Sequence, residues 1–165
     1  MFQLKPLSKE AVPRALEKAE RYRLLNEPEE AESICLDVLE VDRGNRDALV
    51  TLLLARTDQF AHGAGSLEAA REVLPRLPDP YQRAYYAGIV CERKATATLA
   101  HSGPGSQFVV YELLCDAMRH YEEAESHRPA GNDDALLRWN SCARLLNANP
   151  NLCAREEEWV DQPLE

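Results

Sequence analysis

No CxxC pair occurs among the five cysteines, Cys35, Cys91, Cys115, Cys142 and Cys153. Without paired spacing a structural zinc site lacks its ligands. The scattered, odd-numbered set also speaks against a disulfide framework, and thiols kept reduced serve as small apolar fillers on helix faces. No apolar run approaches the roughly 20 residues that span a bilayer. The opening Met1-Phe2-Gln3-Leu4-Lys5 lacks the charged-then-apolar order of a secretory leader. These absences imply a cytoplasmic chain. Positive charge is scarce too: 19 Lys and Arg stand against 28 Asp and Glu, for a formal net charge of -9. Nucleic acid and anionic membrane surfaces are poor partners for such a balance. No Gly-Lys-Ser/Thr follows a glycine-rich loop, and no Ser or Cys stands in a nucleophile motif. Neither an enzyme nor a bound cofactor is therefore expected.

Strand-like alternation and β-branched blocks are missing as well, whereas apolar residues recur at helical spacing almost everywhere. The 165 residues, 45% hydrophobic, suffice for one domain with a core. Ala15 to Leu25 reads as an amphipathic helix with Ala15, Leu16, Ala19, Tyr22, Leu24 and Leu25 on one face. A second helix runs from Glu27 to Val41, with Asn26 as its N-cap, Pro28 in its first turn and Gly44 suited to a left-handed end. Further helices are expected over Arg46–Phe60, Leu67–Leu77 and Tyr81–Ala100, from the cap Ser106 on to His127, and over Asp134–Leu146. Pro75 cuts the fourth short and Pro78-Asp79-Pro80 ends it. Asn26, Ser66, Ser106 and Asn149 read as caps, so a similar unit returns about every 34 to 43 residues. The pattern suggests a helical-hairpin solenoid; a compact bundle without a true repeat is the alternative.

The units resemble the tetratricopeptide repeat family, a helix pair with small residues at the close crossing. In the first unit, Ala19 and Tyr22 stand at the small and aromatic positions of the first helix. Ala31 and Val38 stand at the small positions of the second, and Leu39-Glu40-Val41-Asp42 resembles the family's closing segment. A later unit carries Tyr85 and Gly88, then Ala117, Tyr121, Ala124 and Pro129. The second unit departs, with Leu53 at a small position and a short second helix. Gly88 and Ala117 are also about 29 residues apart where the family has about 12. Roughly six extra residues on each arm predict a hairpin extending about 9 Å, either a contact arm or a tolerated insertion.

The resemblance implies an all-α solenoid of about three and a half units over residues 1–149. A short capping helix and acidic tail follow over 150–165, with Trp159 packed on the last helix. It implies a non-catalytic module that binds a protein or peptide segment in a groove lined by the first helix of each unit. The family's register places Leu16, Glu20 and Arg23 there, then Val50, Leu54 and Asp58, then Tyr85, Ile89 and Glu92, then Arg138, Ser141 and Arg144. Tyr85 and Ile89 would be apolar anchors, and Arg138 with Arg144 would hold an acidic group. Leu16 and Glu20 replace residues that chaperone-tail binders use, so that ligand is not implied. Self-association remains open.

Two other functions are carried forward. Small acidic tetratricopeptide proteins also act as chaperones for type III secretion translocators, with similar size and charge. Alternatively the histidines serve a metal, since His120, Glu123 and His127 share one helix stripe; a solvated polar face is the favoured reading of that stripe. The loops His62-Gly63-Ala64-Gly65 and His101-Ser102-Gly103-Pro104-Gly105 each open into a helix N-terminus. They are either anion sites or plain connectors.

Overall fold

A computed structural model describes residues 1–101 and 103–155, and every regular element among them is helical. Seven α-helices follow one another: α1 (Val12–Leu24), α2 (Pro28–Val41), α3 (Arg46–Asp58), α4 (Leu67–Arg71), α5 (Pro80–Ala100), α6 (Ser106–Ser126) and α7 (Asp134–Ala148). Short 3-10 turns cover Lys9–Ala11, Gln59–His62 and Leu74–Arg76. No helix among the described residues is long and apolar enough to cross a membrane.

The breaks follow from local chemistry, though not always from the residue that the sequence suggests. Asn26 does not cap α2. It sits in the left-handed region with φ 61°, and the Glu27 amide reaches Tyr22 O at 2.9 Å while the Asn26 amide reaches Arg23 O at 3.0 Å. Those two bonds close the end of α1 and satisfy its last carbonyls. Asn45 is the cap of α3, its side chain accepting from the Ala48 amide at 2.9 Å. Gly44 is not among the residues of positive φ. Ser66 caps α4 as expected, accepting from the Ala69 amide at 3.2 Å. Ser106 is instead the first residue of α6, after a left-handed Gly105 with φ 80°. Pro75 stands where α4 gives way to a tight turn. Asp79 then caps α5 through the Tyr81 amide at 3.0 Å, with Pro80 in the first turn.

Consecutive helices pack as pairs, α1 on α2, α2 on α3, α5 on α6 and α6 on α7. Alternate helices also meet: α1 touches α3, and α3 touches α5. The central α3 is buried nearly all round, through Ala48, Leu49, Thr51, Leu52, Leu53, Ala55 and Thr57. Leu53, at a position where a small residue is usual in the resembled unit, is wholly enclosed.

Two apolar cores result. One holds α1 to α4 with Ala19, Cys35, Leu49, Leu52, Val73 and Leu77; the other holds α5 to α7 with Tyr81, Val110, Leu114, Tyr121 and Cys142. Leu54 and Tyr86 pack against both and close the seam between them.

At 21 residues each, α5 and α6 exceed the 13 residues of α1 and α3, or about 12 Å of extra helix. The tip is not bare on either side. Ala97 of α5 packs against the first core, and Arg155 lies over the Phe108 ring of α6 at 5.5 Å. No helix forms over residues 149–155. Instead Leu152 buries itself in the second core. Trp159 and the rest of the acidic end lie outside the described residues.

Candidate functional site

The face shared by α1, α3, α5 and α7 carries two adjoining clefts. One, of about 540 Å³, is lined by Val12, Leu16 and Glu20 of α1, Arg46 and Val50 of α3, and Gln82 and Tyr86 of α5. The other, of about 690 Å³, is lined by Glu20, Arg23 and Leu24, by Thr57, Asp58 and Ala61, by Glu92, Arg93, Thr96, Ala97 and Ala100, and by Arg138 of α7. Glu20 borders both. The site therefore lies along the seam of the two cores, where the groups on α1 and α3 face those on α5 and α7.

Charged groups span that seam. Arg23 Nε donates to Asp58 Oδ2 at 2.7 Å, and Arg93 Nη1 donates to Asp58 Oδ1 at 2.5 Å. The same Arg93 nitrogen lies 2.9 Å from Thr57 Oγ1. Arg138 Nη1 donates to Glu92 Oε1 at 3.2 Å, and the Tyr121 hydroxyl donates to Glu92 Oε2 at 2.5 Å. Burial lowers the pKa of Arg93, with Asp58 opposing the shift and the neighbouring Arg23 and Arg138 adding to it. Burial is the largest single influence on Arg138 and acts against its charge, but Glu92, Tyr85 and Tyr121 together outweigh it and the net shift is upward. Tyr121 is pushed far up by burial and by the Glu92 charge, so it stays a hydrogen-bond donor.

The residues expected in the groove divide into four groups. Leu16, Glu20 and Val50 line the first cleft, and Glu20, Arg23, Asp58, Glu92 and Arg138 line the second. Leu54 is half-buried between the cores. Tyr85 and Ile89 line neither cleft. Tyr85 rests against Tyr121 with ring centroids 6.0 Å apart, and Ile89 is 3% exposed within the second core. The groove side of α5 carries Gln82, Tyr86, Glu92, Arg93, Thr96, Ala97 and Ala100. Ile89 falls only about 20° from Gln82 around the axis, so it is lost to the groove because the second core covers it. Ser141 and Arg144 are exposed on α7 and line neither cleft. Six residues separate Arg144 from Arg138, which puts them about 120° apart around the axis. Arg93 was legible only as one of several charges in Glu92-Arg93-Lys94; the spacing 82, 86, 93, 97, 100 is the signal that marks it.

His62, His101 and His120 are engaged in local contacts. His62 Nε2 lies 3.1 Å from Asn26 Oδ1, and His101 Nδ1 lies 2.9 Å from Ala97 O. His120 Nδ1 lies 3.8 Å from Glu123 Oε2. Among the described residues no group of three His, Cys, Asp or Glu is arranged to hold a metal ion. The start of α4 is occupied by its own Ser66, which also donates to Glu68 Oε2 at 2.8 Å. Cys35, Cys91 and Cys142 are buried, with thiol pKa values raised by burial, while Cys153 is exposed.

No protein-family model matches the chain, and neither the curated proteins nor the solved structures give a match.

Proposed function

We propose that the chain is a non-catalytic protein-interaction module of the tetratricopeptide type, working in the cytoplasm. Its three and a half helix pairs present their first helices, α1, α3, α5 and α7, as one face that receives an extended segment of a partner protein. The observation that carries this is the pair of clefts along that face, continuous through Glu20. The small residues at the helix crossings support it: Ala19, Ala31, Gly88, Ala117 and Ala124 are all buried, as close helix approach requires.

A photo-reactive amino acid placed at Val50 or Thr96, inside the clefts, tests the assignment against the same probe at Leu36. Leu36 belongs to α2 and is 43% exposed. Cross-linking in native cytosol should trap the same protein from Val50 and Thr96 and not from Leu36. Trapping from Leu36 alone would move the binding surface to the second helices.

A further inference from the structure

We infer that residues 156–165 of one copy of the chain dock on the outward face of α1 of a second copy, so that the protein associates head to tail. That face lies apart from the groove proposed above. Arg14, Lys18, Arg21 and Leu25 follow at spacings of four, three and four, which keeps them on one stripe of the helix, away from the buried Ala19. With Glu17 and Tyr22 they line a hollow of about 520 Å³, and none of the four lines either groove cleft. Three of the charges in this hollow are positive, and Glu17 alone is negative. Arg14, Lys18 and Arg21 are exposed, and among the described residues none of them forms an ion pair with a carboxylate. Lys18 Nζ lies 5.9 Å from the centre of the Tyr22 ring, and Leu25 is 60% exposed. The stripe thus offers cations with an apolar end.

A segment of matching chemistry is present in the chain itself. Residues 156–165 hold five of its 28 acidic side chains and none of its 19 basic ones. Glu156, Glu157 and Glu158 supply carboxylates for the three cations, and Trp159 follows directly to meet Tyr22 and Leu25. From Arg14 to Leu25 the stripe is about 17 Å long, and five extended residues cover about the same length. The α1 of the same chain is out of reach. Arg155 lies on Phe108 of α6, and packing leads from α6 through α5 and α3 to α1. Each such step is about 8–10 Å, whereas the four residues from Arg155 to Trp159 extend about 14 Å at most. Because the two surfaces in contact differ, each assembly keeps one free stripe and one free segment, and association can pass beyond the dimer.

The test mixes equal amounts of unlabelled and nitrogen-15-labelled full chain and adds a carbodiimide, which joins a lysine ammonium directly to a carboxylate. The available lysines are Lys5, Lys9, Lys18 and Lys94. Links from Lys18 to Glu156, Glu157 or Glu158 should dominate, and as many should join a light peptide to a heavy one as join like to like. In sedimentation the mean mass should rise with concentration. Lys18→Glu with Arg21→Glu should raise the dissociation constant about tenfold, and adding Glu157→Lys with Glu158→Lys should recover most of that loss. Circular dichroism checks that the α1 variant folds; if it does not, Glu157→Lys with Glu158→Lys on an unaltered α1 should give the same tenfold loss. Links confined to like isotopes would put the segment on its own chain and overturn the inference. Links made chiefly to Lys5, Lys9 or Lys94 would overturn it too, as would a chain that stays monomeric at every concentration. The groove stands or falls separately, on the cross-linking from Val50 and Thr96.

Discussion

A Cβ placed on Gly88 would lie 2.7 Å from Tyr121 Cδ1 and 2.8 Å from Cζ, so α5 and α6 cross with no room for a side chain at that point. Tyr121 is wholly buried, and its hydroxyl is held at 2.5 Å by Glu92. The ring cannot swing aside without breaking that bond. The same crossing turns Tyr81 and Tyr85 toward α6 and α7, leaves Tyr86, Arg93 and Ala97 to the groove, and puts Glu92 at the boundary, bonded to Tyr121 and Arg138 while lining the second cleft.

Gly88→Leu should therefore destabilise the fold by more than about 2 kcal/mol, the scale of core overpacking. Helix propensity alone predicts the reverse, a gain of up to about 1 kcal/mol. Thermal unfolding followed by circular dichroism measures the sign. Adding Tyr121→Leu to Gly88→Ala should recover part of the loss, because it removes the ring that the new methyl meets.

Asn26 and His62 provide a test of backbone conformation. A left-handed residue that ends α1 predicts that Asn26→Gly is neutral or slightly stabilising. It also predicts that Asn26→Ser costs about 1 kcal/mol. A helix N-cap would show the opposite preference, tolerating serine at least as well as glycine. Urea denaturation of the two variants separates these outcomes.

Asp58 ties the two cores through Arg23 and Arg93, whose side chains are 20% and 31% exposed. A double-mutant cycle between Asp58 and Arg93 should give a coupling of about 1 kcal/mol or more. The exposed Arg128–Asp133 pair, at 45% and 59%, should give less than about 0.5 kcal/mol. Equal couplings would show that the seam network is no more protected from solvent than an ordinary surface pair.

Alkaline pH should loosen the protein through its buried thiols. Burial pushes Cys35 and Cys142 from 9.0 up to about 12. Below pH 9 both folded and unfolded chains hold these protons, and their contribution to stability is fully present. Between pH 9 and 12 the unfolded chain releases them while the folded chain does not, so stability falls. The limit is about 1.4 kcal/mol per pH unit for each group. The urea midpoint should drop between pH 8 and pH 10.5, and the drop should be shallower in a Cys35→Ala, Cys142→Ala double variant.

Helix positions and most breaks were legible from residues alone, because they depend on neighbours within one turn. The 3.6-residue recurrence of Ala31, Cys35, Val38 and Leu39 marks α2 wherever it packs. Pro28, Pro75 and Pro80 act through their own φ and missing amide, and Ser66 reaches an amide three residues on. Gly88 was legible as a crossing because only a bulky neighbour makes a missing side chain necessary. Packing between distant segments decided the rest. Whether Asn26 caps the next helix or ends the last depends on how the chain turns between α1 and α2, and both uses suit asparagine. Which residues of α5 stay open to the groove depends on what distant segments lay over them: Ile89, on the same side as Tyr86 and Arg93, is enclosed by the second core. The resembled register places Arg23 and Asp58 in the groove but not in contact, and Arg93 looks like an ordinary surface charge in its own helix. Their meeting at the seam belongs to tertiary structure alone, because electrostatic attraction follows distance in space and local periodicity carries no information about it.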